Sequence, residues 1–422
     1  MFVMLIAVAW LAWFMRERGA SARLRTSASH ATAPAHASAS HPLRTQQTRR
    51  APSRELTWYE AMQVEISKFL GIPDPFEYLD VEVCGIGKES VRAVDGGLPP
   101  LLAIAVEQEW LQWREKLLKH GSTEDIVSVR YVDAFRSYAK ASEEFDRRSS
   151  GSSADMEEST RIGRASTTPH IAALLDVAKK TNDAEVAFAA MTVCGFVNDK
   201  LCVLEYAERL VALDPNSAHS WLTLAAAARE VGDEVRRQYA VRRASSGLQY
   251  LPKFNPVRRL LVGREFAALS DASRQRLSLV LQPFAFDVPL TNSEVYAHCN
   301  ANMDWQDSER SQRCRKFTEM LATKDDLVSP SLAALLSIPA GWPASHRDAL
   351  MRERETLMKE LESMQFEKPF SCESLRQTEL FARESARFGE RTALRKRIEA
   401  RGETMEQAVG RVVEQKRVLE RK

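Results

Sequence analysis

The sequence predicts an all-α protein built from helical hairpins. In most segments beyond the N-terminus, apolar residues recur at spacings of three and four, which is the period of an amphipathic helix. No stretch shows sustained alternation of apolar and polar residues, so little or no sheet is expected. Two consecutive segments, residues 184–217 and 218–251, also share one register over about 34 residues each, which indicates a repeated helix-turn-helix unit.

The second segment carries the clearest pattern. Its fourth, seventh and eighth positions hold a large, a branched and a small apolar residue, and its turn holds Gly-Asp: Trp221, Leu224, Ala225, Gly232 and Asp233. The first segment ends with Asp214-Pro215-Asn216, but it has Met191 at the small position and Asn198-Asp199 in the turn. The pattern resembles the tetratricopeptide repeat (TPR). This resemblance implies a short TPR-like α-solenoid with two degenerate units.

The resemblance also implies a binding surface. In TPR proteins the first helices of successive units line a concave face that commonly holds peptides or protein partners. The family positions that face this surface correspond here to Glu185, Phe188, Thr192, Gly195, His219, Leu222, Ala226 and Arg229. Among them, the residues expected to bind a protein or peptide partner are Phe188, His219, Leu222 and Arg229. Phe188 and Leu222 would take an apolar side chain, and Arg229 would pair with a carboxylate.

The N-terminus predicts a membrane attachment. Residues 1–15 are an unbroken apolar run. As a helix they would extend about 22 Å, short of the roughly 30 Å hydrocarbon core of a membrane. The run is therefore either a minimal transmembrane anchor or a signal segment. Residues 16–56 are rich in Ala, Ser, Pro and His and are expected to be a disordered tether.

The remaining chain divides by composition and by turn signals. The expected parts are an N-terminal helical region, a flexible Ser- and Gly-containing linker, the TPR-like repeats, a group of helical hairpins and charged C-terminal helices: residues 57–146, 147–168, 169–285, 286–368 and 369–422. Residues 73–100 are expected to be irregular. The pattern Thr291-x-x-Glu294 is typical of a capping box at the start of a helix.

The chain has six cysteines, and none forms a C-x-x-C pair. In the repeat register, Cys194 and Cys202 face each other across the turn of one hairpin. Cys299 and Cys314 are placed similarly in a second predicted hairpin, which leaves Cys84 with Cys372 as a long-range pair. Three disulfides would place the body in an oxidising space such as a periplasm. Six buried free thiols are the alternative.

The charges that flank the apolar run indicate the opposite orientation. Arg16, Arg18, Arg23 and Arg25 follow the run, and the positive-inside rule would keep the body in the cytoplasm. Weighing the cysteines more heavily, we expect a single-pass inner-membrane protein with its body in the periplasm, or a secreted protein if the segment is cleaved. A cytoplasmic-facing adaptor with free thiols is the alternative.

Composition and motifs argue against several function classes. Lys and Arg number 59 against 57 Asp and Glu, which gives no general case for nucleic-acid binding. The Gly-Lys at residues 87–88 is followed by Glu89 and does not fit a phosphate loop. Ser137-x-x-Lys140 lacks the partner motifs of penicillin-binding enzymes. No catalytic site, metal or cofactor is expected, although a cell-envelope hydrolase remains a lesser alternative.

Overall fold

The computed structural model describes residues 78–92, 98–146, 153–250, 256–285, 290–300, 308–337, 340–366 and 370–420. The chain divides into two compact units. The first comprises Met1–Tyr78 and Arg92–Gly97, and the second comprises Leu79–Val91 and Leu98–Lys422. Nearly all described residues belong to the second unit, which contains all of the described helices and almost all of the hairpin described below. The predicted anchor and tether, with the start of the N-terminal helical region, lie outside the described residues.

A β-hairpin precedes the helices. Strands β1 (Tyr78–Val83) and β2 (Gly87–Arg92) pair with each other. The expectation of irregular chain here was wrong. Gly85 in the turn and Gly87 at the start of β2 both have positive φ, at 71° and 108°, a conformation that favours glycine. Residues 79–83 of β1 alternate apolar and polar side chains over five positions, which is a strand signal that the expectation of irregular chain overlooked.

The rest of the described secondary structure is helical, which confirms the all-α prediction apart from that hairpin. The helices are α1 (Pro100–His120), α2 (Thr123–Asp146), α3 (Ser153–Ala178), α4 (Ala184–Phe196), α5 (Lys200–Leu213), α6 (Ala218–Val231), α7 (Glu234–Ala244), α8 (Pro256–Val262), α9 (Arg264–Ala267), α10 (Asp271–Ala285), α11 (Leu290–Cys299), α12 (Ser308–Thr323), α13 (Ser329–Ser337), α14 (Ala344–Phe366), α15 (Cys372–Phe388), α16 (Glu390–Ala400) and α17 (Met405–Glu420).

The middle of the chain packs as successive helical pairs. Helix α4 packs against α5, α5 against α6, and α6 against α7. Leu224 and Ala225 of α6 are buried, and the small side chain of Ala225 permits close approach of neighbouring helices. Helix α6 ends at Gly232, whose φ of 77° is left-handed, as helix C-termini commonly require. Asp233 then caps α7 by accepting a hydrogen bond from the Arg236 N–H.

Helices that are distant in sequence also join this core. Helix α11 packs against α6, while α10 packs against both α1 and α15. Helices α14, α16 and α17 contact one another around a second, smaller core that includes Leu357, Leu394 and Ile398. Helix α6, which was predicted to be the first helix of the second repeat unit and to line the groove, therefore packs against a later part of the chain.

The predicted linker, residues 147–168, is mostly helix. Helix α3 begins at Ser153 and continues past Pro169 to Ala178. Its small residues serve close packing against α2. A Cβ on Gly163 would lie 2.6 Å from the Ser142 hydroxyl and 2.7 Å from the Tyr138 ring, and the Ser166 hydroxyl donates to the Ser137 carbonyl at 3.0 Å. Residues 153–168 of the predicted linker therefore belong to a helix in tight contact with α2, while residues 147–152 lie outside the described residues.

Candidate functional site

Three of the four predicted groove residues are buried. Phe188 of α4 and His219 of α6 lie together, with their ring centroids 5.5 Å apart, and both are buried. Leu222 of α6 is 0% exposed. The structure thus brings Phe188 and His219 together, but it leaves none of the three residues open to solvent. The expectation of an open groove at these positions was wrong.

Tyr250 and α11 cover the histidine. The His219 Nδ1 lies 2.7 Å from the Tyr250 hydroxyl, and that hydroxyl lies 3.1 Å from the Thr291 hydroxyl. Burial lowers the pKa of His219 to about 3, with a further contribution from the charge of Lys324. The imidazole is therefore neutral at physiological pH, and it acts as a hydrogen-bonding element inside the core.

The carboxylate predicted to pair with Arg229 belongs to the chain itself. The Arg229 Nη1 lies 3.2 Å from the Glu294 Oε2, and the Arg237 Nε lies 2.7 Å from the Glu294 Oε1. Burial raises the pKa of the Glu294 carboxyl, and the two guanidinium groups oppose that shift. The capping-box interpretation of Glu294 was wrong: helix α11 begins at Leu290, and the carboxylate joins α11 to α6 and α7.

A buried polar cluster lies beside this pair. The Lys324 Nζ is 3.6 Å from the centroid of the Tyr250 ring and donates to the Asn292 Oδ1 at 3.1 Å. The Asn292 Nδ2 donates to the Ser329 hydroxyl at 3.0 Å. The aromatic face and the amide oxygen both stabilise the ammonium. Sequence reasoning missed this cluster because its members are scattered from residue 250 to residue 329 without a motif.

The six cysteines lie in the three predicted pairs. Cys84 of the turn after β1 is bonded to Cys372 at the start of α15, Cys194 of α4 to Cys202 of α5, and Cys299 of α11 to Cys314 of α12; the Cα–Cα distances are 4.6, 5.8 and 5.6 Å. These distances fall within the range of disulfides. Two pairs connect neighbouring helices, and the third connects the N-terminal hairpin to the C-terminal helices.

A histidine lies against the Cys299–Cys314 pair. His298 is buried, and one ring nitrogen together with the two sulfur atoms forms a group whose members are all within 4.8 Å of one another. The His298 Nε2 has no hydrogen-bond partner in the described part of the chain. Burial lowers the pKa of His298 to about 4, with contributions from the charges of Arg310 and Arg313, so the ring is neutral.

Helices α5 and α7 carry exposed apolar side chains. Leu201 and Val235 are each the second residue of their helices, α5 and α7, and are 74% and 84% exposed. Tyr239, one turn further along α7, is 50% exposed. An ion pair between Arg236 and Glu208 connects the two helices. We call Leu201, Val235 and Tyr239 the outer apolar strip.

None of the helices in the described part of the chain is long and apolar enough to span a membrane. The predicted anchor, residues 1–15, lies outside that part. Comparison of the chain with family models, with curated proteins and with solved structures gave no match.

Proposed function

We propose that this protein is a helical-repeat scaffold of a bacterial-type cell envelope, anchored in the inner membrane through residues 1–15. Its body lies in the periplasm, or is secreted if that segment is cleaved. It binds a protein or peptide partner. The observation that carries this proposal is the outer apolar strip, because Leu201 and Val235 occupy the same position of two successive repeat units and both are exposed.

The repeat interpretation supports the proposal. A short TPR-like array presents equivalent positions of successive units side by side on one surface. Single exposed apolar residues are common on proteins, whereas exposed apolar residues that lie together in a patch are typical of an interaction surface. Leu201 and Val235, at equivalent positions of two successive predicted units, would form such a patch if the units stack as repeats do. Tyr239 adds an aromatic side chain, a residue type enriched in interfaces. The partner surface is therefore assigned to the outer face of α5 and α7, since the predicted groove is filled.

The partner-binding proposal is tested by charge substitution on the strip. We expect the double variant Leu201→Glu/Val235→Glu to weaken partner binding by at least about tenfold, because each carboxylate would lose its hydration at the contact. A photo-crosslinking residue at position 201 or 235 identifies the partner in intact cells, and binding of the purified partner is then measured by calorimetry.

The matched control is Leu335→Glu. Leu335 is 69% exposed on α13, outside the repeat units, so it has the same chemistry and similar exposure. Its substitution should leave partner affinity unchanged, and a crosslinker at position 335 should not capture the same protein. An equal loss of affinity in both variants would contradict the assignment of the strip, and so would the absence of any loss in either variant.

The compartment is tested by the state of the thiols. Cells quenched in acid and treated with an alkylating maleimide under denaturing conditions should show no labelled cysteine without reductant. All six should be labelled after reduction. The reason is that an oxidising compartment maintains disulfides whereas the cytosol reduces thiols. Six labels without reductant would instead identify the cytoplasmic-facing adaptor, and would reject the periplasmic assignment together with the disulfides.

A further inference from the structure

We infer that, when the Cys299–Cys314 disulfide is reduced, His298 and the two thiolates form a buried site for Cu(I). The first observation is geometric. The three ligand atoms already lie within 4.8 Å of one another, and the Cα atoms of the two cysteines are 5.6 Å apart. Two thiolates on one tetrahedral metal are about 3.8 Å apart. Once reduction has broken the sulfur–sulfur bond, rotation of the two cysteine side chains would separate the sulfur atoms enough to hold a cation between them.

The second observation is the unused ring nitrogen. His298 Nε2 is buried and has no hydrogen-bond partner among the described residues. A buried polar atom without a partner costs free energy, and a metal bond would satisfy it. Within the described part of the chain, neither of the other two disulfides has a third ligand atom at this distance. The feature is thus particular to the Cys299–Cys314 pair.

Charge and ligand number select the cation. Thiolates are soft ligands that favour Cu(I) or zinc. With two Cys and one His, zinc would need a water as its fourth ligand, whereas Cu(I) can be held by three donors, and all three residues of this group are buried. Two thiolates and one Cu(I) carry a net negative charge. Arg310 donates two hydrogen bonds to the carbonyl of His298, so a guanidinium lies next to the site. That positive charge stabilises both the thiolates and the complex.

The chemistry has two balanced steps. A dithiol reductant transfers two electrons and two protons to the disulfide, so that the sulfur–sulfur bond breaks, two thiols form and the reductant becomes a disulfide. Each thiol then loses its proton to solvent as its sulfur binds the cation. The oxidised form has no thiolate to offer. Binding of the cation is therefore controlled by the redox state of this pair and does not depend on the partner surface proposed above.

Protection from alkylation in the full-length protein tests the site. The protein is reduced under native conditions with a phosphine, loaded with Cu(I) as its acetonitrile complex under anaerobic conditions, and alkylated; peptide mapping then measures each cysteine separately. Cu(I) should slow alkylation of Cys299 and Cys314 at least about tenfold relative to metal-free reduced protein. The oxidised protein should take up no Cu(I) in competition with a chromogenic chelator.

A histidine variant distinguishes the site from a simple pair of thiols. His298→Gln preserves approximate size but removes the imidazole, and it should weaken Cu(I) retention against the chelator at least about tenfold. Cys194→Ala/Cys202→Ala removes a disulfide without a neighbouring histidine and should leave protection at Cys299 and Cys314 unchanged. If His298→Gln does not fold, the protection of Cys299 and Cys314 from alkylation by Cu(I) in the unmodified protein still tests the site. Unchanged alkylation rates with Cu(I), or protection by Zn(II) alone, would overturn the inference.

Discussion

Replacing Cys84 and Cys372 together by alanine should lower the free energy of unfolding by about 5 kcal/mol. This bond connects residues separated by 288 positions, so it closes by far the longest loop of the three disulfides. In the chain-entropy account, a cross-link stabilises the fold by restricting the unfolded chain, and the effect grows with loop length. The hydrogen bond from the Cys84 N–H to the Phe370 carbonyl, at 3.0 Å, adds to the same connection.

The matched control is the shortest disulfide of the chain. Cys194 and Cys202 are separated by 8 positions, so Cys194→Ala/Cys202→Ala should lower the free energy of unfolding by only about 2–3 kcal/mol. Urea denaturation followed by circular dichroism gives both values. Equal losses in the two variants would show that local packing, and not loop length, determines what these bonds contribute.

The pairing of the cysteines could be predicted because two of the pairs are local. A helical register places Cys194 opposite Cys202, and a similar hairpin places Cys299 near Cys314, so that the long-range pair follows by elimination. Helix boundaries with strong periodicity can be predicted equally well: the apolar spacing predicts a helix over residues 101–119, and α1 is Pro100–His120. Both successes depend on information within about 20 residues.

The filled groove could not be predicted in this way. The side chains that cover it belong to Tyr250 and α11, and Glu294 is 65 residues from Arg229. No local pattern marks Glu294 as the partner of an arginine, since its spacing from Thr291 fits a capping box equally well. Likewise, the small residues before Pro169 have the composition of a linker, and only their contact with α2 shows that they belong to a packed helix.

The substitution Glu294→Ala should lower the free energy of unfolding by about 3–5 kcal/mol. Glu294 is 0% exposed, and it joins α11 to α6 and α7 through Arg229 and Arg237. Its removal leaves Arg237, whose side chain is only 14% exposed, as a poorly hydrated cation that has lost its buried partner. Arg229 is more exposed and can recover part of its hydration.

A double-mutant cycle isolates the ion pair. If the loss comes mainly from the uncompensated cation, Arg237→Ala/Glu294→Ala should be more stable than the sum of the two single variants predicts, with a coupling energy of at least about 1 kcal/mol. Asp176→Ala is the control, because Asp176 pairs with Lys180 on the surface, where both side chains are largely exposed. That variant should change the free energy of unfolding by less than about 1 kcal/mol.

The same variants separate two roles for α11. If α11 were a displaceable occupant of the groove, Glu294→Ala would expose Phe188 and His219 at little cost in global stability, and hydrogen exchange would speed up in α11 alone. If α11 is an integral part of the repeat core, the loss should appear as a single cooperative transition at lower urea, with α6 and α7 affected equally. The full burial of Glu294, Thr291 and Val295 favours the second result. Selective opening of α11 would return the partner surface to the groove.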